Sequence, residues 1–189
     1  MTLRQAMATL MVALALTVAG CGSDPSKDAN MNTLFTELMQ RPDIQTAEAD
    51  YQDLLARIRD KLVADIGIER WTQDGEPVSG SACVGQYAKL GADGEIRRYS
   101  SGTSPGNIAD ADWPRAVEVV ADLAGRHGFG EPQVVVDRPG DHEVSLKDEY
   151  GAELLFGTAV NTTLSLSTGC HLTREAHQRG IPAEEAPLY

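Results

Sequence analysis

The chain has 189 residues, 16 of them basic and 28 acidic, for a net charge of -12 at pH 7, and 42% of it is hydrophobic although only 5% is aromatic. That charge opposes non-specific attachment to nucleic acid and repels an anionic membrane surface, so no nucleic acid partner is expected and the domain should stand off a bilayer. With so few aromatic residues the core must be built from Ala, Val, Leu and Ile, which suits a packed domain better than a wide lipid-holding cavity without excluding a small pocket.

At the N-terminus Arg4 precedes an apolar run from about Met7 to Val18, followed by the small pair Ala19 and Gly20. The run is roughly a dozen residues, against the ~20 that a membrane-crossing helix needs, so residues 1–20 read as a secretory signal that is removed. Val18, Ala19, Gly20 and Cys21 resemble the bacterial lipobox. That resemblance implies cleavage between Gly20 and Cys21 and a diacylglycerol on the Cys21 sulfur. Each buried CH₂ contributes about 0.8 kcal/mol and one chain binds only reversibly, whereas two or more hold a protein on the bilayer. Cleavage takes only Arg4 from the basic residues, leaving 15 basic against 28 acidic and a net of -13.

Residues 21–31 read as the lipidated N-terminus and a flexible tether, because Gly22 to Asn30 carries no large apolar side chain to bury. About ten such residues span roughly 18 Å root-mean-square. The expected address is therefore the cell membrane, lipid-anchored, on the extracytoplasmic side.

Residues 32–178 suit a single domain with one core. Met31, Leu34, Phe35, Leu38 and Met39 recur at helical spacing until Pro42 stops the pattern, which predicts a short helix ending near Gln40. Tyr51, Leu54, Leu55, Ile58, Leu62, Val63 and Ile66 form the apolar stripe of a longer helix that Gly67 is placed to end. From Glu69 the period changes: Glu69 to Thr72, Ala82 to Leu90 and Glu95 to Ser100 read as strands, the last two joined by an Ala92-Asp93-Gly94 turn, with a loop from Ser100 to Asn107. A second main helix should begin at Asp112, whose carboxylate can cap the first turn, and run with Ala116, Val117, Val120, Leu123, Ala124 and His127 on one face to a stop at Gly128. Gln133 to Asp137, His142 to Lys147, Ala152 to Thr158 and Thr162 to Thr168 then read as strands with short connections, hence antiparallel neighbours. The fold class is α+β, a mainly antiparallel sheet with helices packed on one face. Residues 179–189 read as a loose tail.

Three cysteines occur. With Cys21 lipidated, Cys83 and Cys170 remain as a pair in a chain that folds outside the cytoplasm, and they read as a disulfide closing a loop of nearly ninety residues. The competing readings are a metal site using Cys170 and His171, or a catalytic thiol; no CxxC or HxxxH spacing supplies further ligands.

A search for chemistry returns absences. There is no GxSxG elbow, HExxH, Walker loop or GxGxxG after a strand, and the Gly125 to Gly130 stretch GRHGFG ends a helix where a phosphate loop would begin one. His127, His142, His171 and His177 share no spacing, although any of them could serve as a general base beside one of the many carboxylates. Trp71 and Trp113 border loops and read as core residues that could also line a pocket. Asp110 with Asp112 suggests a cation site, but one member has the capping role. No catalytic residue, metal ligand or cofactor is assigned.

Together with the lipobox, the polar tether and the two distal cysteines, the helix DADWPRAVEVVADLAGRHGF, whose Asp-Trp-Pro start is followed at its end by Gly128-Phe129-Gly130 and a valine strand, makes the chain resemble, over nearly its full length, the LppA-type lipoproteins of mycobacteria and related actinobacteria. The resemblance implies a cell-membrane lipoprotein exposed outside the cytoplasm, and it brings no catalytic residues to carry over. Three functions remain in play. The leading one is a non-catalytic binding or interaction module whose partner is an envelope protein or a small ligand. A carrier of an apolar envelope molecule would require an enclosed apolar cavity. A hydrolytic enzyme without a recognisable motif would require histidines or carboxylates converging on a cleft.

Overall fold

The computed structural model describes residues 25–73 and 76–183. The signal, the cleavage position at Gly20 and Cys21, and the last six residues lie outside the described residues. The order of elements is α1 (Pro25–Leu38), α2 (Ile44–Asp65), β1 (Val78–Ala82), a 3₁₀ segment (Gly85–Asp93), β2 (Gly94–Pro105), α3 (Trp113–Gly125), β3 (Gln133–Arg138), β4 (Asp141–Lys147), β5 (Glu153–Thr158), β6 (Asn161–Ser167), β7 (His171–Leu172) and α4 (Arg174–Arg179). This is the expected α+β class.

One sheet organises the chain, in the order β1-β2-β6-β5-β4-β3, with β7 pairing the start of β2. Every strand pair is antiparallel. The registers place Tyr99 opposite Leu166, Leu166 opposite Leu154 and Leu154 opposite Leu146, so one apolar row crosses four strands. The side-chain period of two puts the row's neighbours, such as Ser145, Leu155 and Ser165, on the other face. Onto the apolar row pack α2, through Leu54, Ile58 and Leu62, and α3, through Ala116, Val120 and Ala124, all fully buried. Each large side chain buried here contributes ~1.5–3 kcal/mol from its removal from water.

A second, smaller core lies beside the first. Leu34, Phe35 and Leu38 of α1 pack there on Leu90, Ile96, Leu172, Ala176 and the bonded pair Cys83 and Cys170. The disulfide joins positions 87 apart with 5.5 Å between Cα atoms. Gly94 lies against it, where a Cβ would come within 2.9 Å of the Cys83 sulfur.

Several expectations need correction. Residues 25–31, assigned by composition to the tether, belong to α1, with Pro25 at its start where the missing N–H costs nothing. The strand expected at Ala82 to Leu90 is instead the end of β1 followed by the 3₁₀ segment, broken at Gly91 by its φ of 52°. Glu69 to Thr72 contributes only an isolated bridge, Thr72 to Thr103. The expected loop from Ser100 is strand: β2 continues to Pro105 through an irregularity at Ser101 and Gly102. Asp112 precedes α3 but makes no side-chain capping bond; a backbone turn in which Asp112 N and Trp113 N donate to the Ala109 carbonyl leads into the helix. In the C-terminal stretch, residues 174–179 form α4, capped by Thr173, and Ala183 N donates to Asp93.

Candidate functional site

The two ends of the sheet carry different constellations. At the end near the disulfide, Arg41 emerges from the turn between α1 and α2 with its side chain only 11% exposed. Its guanidinium donates to the carbonyl oxygens of Tyr150 and Cys170, both at 3.0 Å, and to Glu37 and the Tyr87 hydroxyl, while lying over the rings of Tyr87 and Tyr150. The planar fork of arginine fits this arrangement, in which donors must point several ways within one plane. His171 lies fully buried beside it, and its Nδ1 faces the Pro42 carbonyl at 2.9 Å, which identifies Nδ1 as the donor. Burial holds the imidazole below its ordinary range, opposed by that hydrogen bond. Cys170 is consumed by the disulfide, so neither a metal site with His171 nor a catalytic thiol is formed.

At the opposite end, His142 of β4 is buried with a carboxylate oxygen at each ring nitrogen: Asp137 at 2.9 Å from Nδ1 and Asp110 at 3.1 Å from Nε2. Asp137 faces it across the β3–β4 hairpin, and Asp110 arrives from the loop before α3. Asp110 also accepts the Gly140 N–H, and this bond together with His142 holds its carboxyl below the usual carboxylate range. The imidazole stacks on Trp113, which stacks in turn on Phe156 with ring centroids 5.0 Å apart. The cluster ties a hairpin to a loop. Among the described residues no nucleophilic hydroxyl or thiol hydrogen-bonds to His142, and no three His, Cys, Asp or Glu side chains converge to hold a metal ion.

The four histidines do not share a cleft. His142 is in β4, His171 in β7, His177 in α4 and His127 in the turn after α3. Trp113 is a core residue, as its helix position suggests, and Trp71 is half-buried against the same core. Neither lines the concavity at α2 and α3 or the one beside β1.

Two concavities formed by described residues bear on a binding role. The larger, about 910 Å³, lies where the end of α2 meets α3 and is lined by half-buried Val119, Ala121 and Leu123 among Lys61, Arg115, Glu118 and Glu131. Lys61 pairs with Asp65 and Arg126 with Asp122, and among the described residues Arg115, Glu118 and Glu131 have no ionic partner. The smaller, about 320 Å³, lies between β1 and the end of the 3₁₀ segment. The helical face bearing Val119 was the one visible sign of the larger groove in the sequence, since Val119 falls off the buried stripe of Ala116, Val120 and Ala124.

Among the described residues no helix is long and apolar enough to cross a membrane. No curated protein matches the sequence. The fold is similar to that of the crystal structure of the lipoprotein LppA from Mycobacterium tuberculosis, at 16% identity and a TM-score of 0.64 over 87% of this chain and 96% of that one. It is also similar to a DUF4853 family protein from Actinomyces odontolyticus, at 14% identity and a TM-score of 0.51 over 71% of each chain. Residues 20–174 match the profile of the LppA family, described as a lipoprotein confined to pathogenic Mycobacterium, and the chain belongs to that family.

Proposed function

We propose that this chain is a lipid-anchored protein of the cell envelope, cleaved before Cys21 and acylated there, whose extracytoplasmic domain is a non-catalytic interaction module. One observation carries the second half of the reading. The interior beneath the sheet is filled by side chains such as Phe156, Leu154 and Leu164, and the larger free volume is an open groove at α2 and α3 with apolar side chains set among charges of both signs. A groove of that make-up suits a polypeptide segment, which can lay apolar side chains on Val119 and Leu123 and present charges to Arg115, Glu118 and Glu131. Membership of a lipoprotein family and the buried disulfide support the anchored, oxidising setting.

The test is a photo-crosslinking residue placed at Leu123, and separately at Val160, in protein expressed in its own membranes. The reading predicts a protein adduct of discrete mass from position 123, abolished by Val119→Glu, and none from position 160. Native mass spectrometry that finds a small apolar molecule retained, with no adduct from position 123, would replace it by the carrier reading.

A further inference from the structure

We infer that the end of the domain built on α1, the 3₁₀ segment and α4 is a docking face for the bilayer itself, so that the anchored domain stands with its sheet directed away from the membrane. The inference rests on the proposed lipidation of Cys21.

Three observations support it. The first is reach. Since α1 begins at Pro25, only four residue steps separate it from Cys21, and four extended steps span at most ~14 Å. Five helical steps add ~7.5 Å to reach Asn30, whose side-chain oxygen accepts from Lys89 of the 3₁₀ segment. The Asn30 backbone is thereby confined to within about 22 Å of a lipidated residue, and the 3₁₀ segment lies beyond it by the Asn30 and Lys89 side chains that join them.

The second is charge. The segments that build this end, residues 25–41, 83–96 and 170–183, hold five basic and five acidic residues, whereas the rest of the span from 25 to 183 holds ten basic and twenty acidic. Asp24, Glu184 and Glu185 adjoin this end in sequence and bring it to five basic against eight acidic, so that it carries three of the excess negative charges while the sheet and its helices carry ten. Some of the charge at this end is paired internally, Arg41 with Glu37 and Arg179 with Asp93. A body polarised in this way, tethered to an anionic headgroup layer, turns its less acidic end to the lipid, and the stand-off expected from its net charge holds for the acidic bulk, directed outward beyond a screening length of ~8 Å.

The third is the surface itself. Val84 and Ile181 are 66% and 64% exposed, and both belong to this end: Val84 directly follows the disulfide-bonded Cys83, and the Ile181 carbonyl accepts from Arg179 after α4. Apolar side chains exposed at this end suit the boundary between headgroups and acyl chains. Strand β2 sets the length of the body: it runs from Gly94 at the disulfide to Pro105, which is paired with Asn161 beside Val160. Twelve residues of strand span ~40 Å, so the β5–β6 turn and the His142 cluster lie at the far end.

The experiment uses the lipidated protein, its acylation checked by intact mass, in vesicles of phosphatidylcholine with a minority of phosphatidylglycerol and a gadolinium-chelate lipid in the headgroup layer. A nitroxide is attached at Gln86→Cys in one sample and at Val160→Cys in another. The inference predicts severalfold stronger relaxation enhancement at position 86 than at 160, and a severalfold fall at position 86 in a Val84→Glu, Ile181→Glu background. Equal enhancement at both positions, in protein that floats with the vesicles, overturns the docking face while leaving the anchor intact. Enhancement at position 86 that the double substitution leaves unchanged overturns it as well. A chain that carries no lipid and does not float removes the anchor, and the docking face with it.

Discussion

Cys83 and Cys170 meet across the start of β2, where the disulfide packs on Gly94 and pins the 3₁₀ segment to the strand end that leads into α4. In the chain-entropy model, closing a loop of this length contributes about 4–5 kcal/mol by restricting the unfolded chain. The expected outcome for Cys83→Ser, Cys170→Ser is a loss of this order in urea unfolding, with the second core loosened before the first. Hydrogen exchange would show that order as faster exchange in the 3₁₀ segment and α4 than in β4 and β5.

Arg41 satisfies two carbonyls that belong to different parts of the chain, Tyr150 and Cys170, while its side chain is nearly buried. Lysine keeps the charge but cannot donate in a plane to both carbonyls and to Tyr87. Arg41→Lys should therefore destabilise by ~2–3 kcal/mol, since a buried acceptor left unpaired costs its full desolvation. A thermal melt that moves by less than a degree would contradict the role given to the guanidinium.

Stability should be bounded on both sides by pH. Burial holds His171 below its ordinary value of 6.5, so the unfolded chain binds more protons than the folded one as pH falls through that value, and stability drops from there toward the folded value. Tyr51 and Tyr99 shift the other way. Burial raises Tyr51 above its ordinary 10.0, with a further push from its bond to Asp148, and raises Tyr99 with the help of Glu48. Their contribution is fully present below pH 10 and is lost as pH rises from there through the folded values. Urea midpoints should form a plateau between these limits, and His171→Gln should flatten the acid slope just below it.

Gly102 has a φ of +75°, and a Cβ there would lie 2.0 Å from the Thr72 carbonyl oxygen. That oxygen accepts from Thr103 N, so the segment between α2 and β1 is held to β2 at this point. Gly102→Ala should destabilise by at least ~1–2 kcal/mol from the backbone conformation alone, with the clash in addition. Exchange protection at Thr72 and Thr103 should fall in the same variant.

The sequence carried the sheet's second half best. Between Gln133 and Ser167 the connections are only a few residues long, so local chemistry sets the hairpins, and β6 alternates buried with exposed or half-buried side chains along its length. The same logic failed at Cys83 to Asp93, where Tyr87 and Leu90 pack on the second core because the disulfide and α1 place them there. The signals of α4 were present in Thr173, which caps it, and in Gly180, which ends it with a φ of 75°, but six residues give too short a period to register. The His142 cluster was half legible. Asp137 faces it across a tight hairpin, whereas Asp110 comes from 32 positions away, by a loop path that only tertiary packing determines.

The most direct test of the anchored account is the intact mass of the protein extracted gently from its own membranes, beside a Cys21→Ala version. The account predicts a chain that begins at Cys21 and carries the mass of at least two acyl chains, and a Cys21→Ala protein without that mass and without membrane retention. A chain that retains residues 1–20, or one that begins elsewhere with no lipid on Cys21, would contradict it.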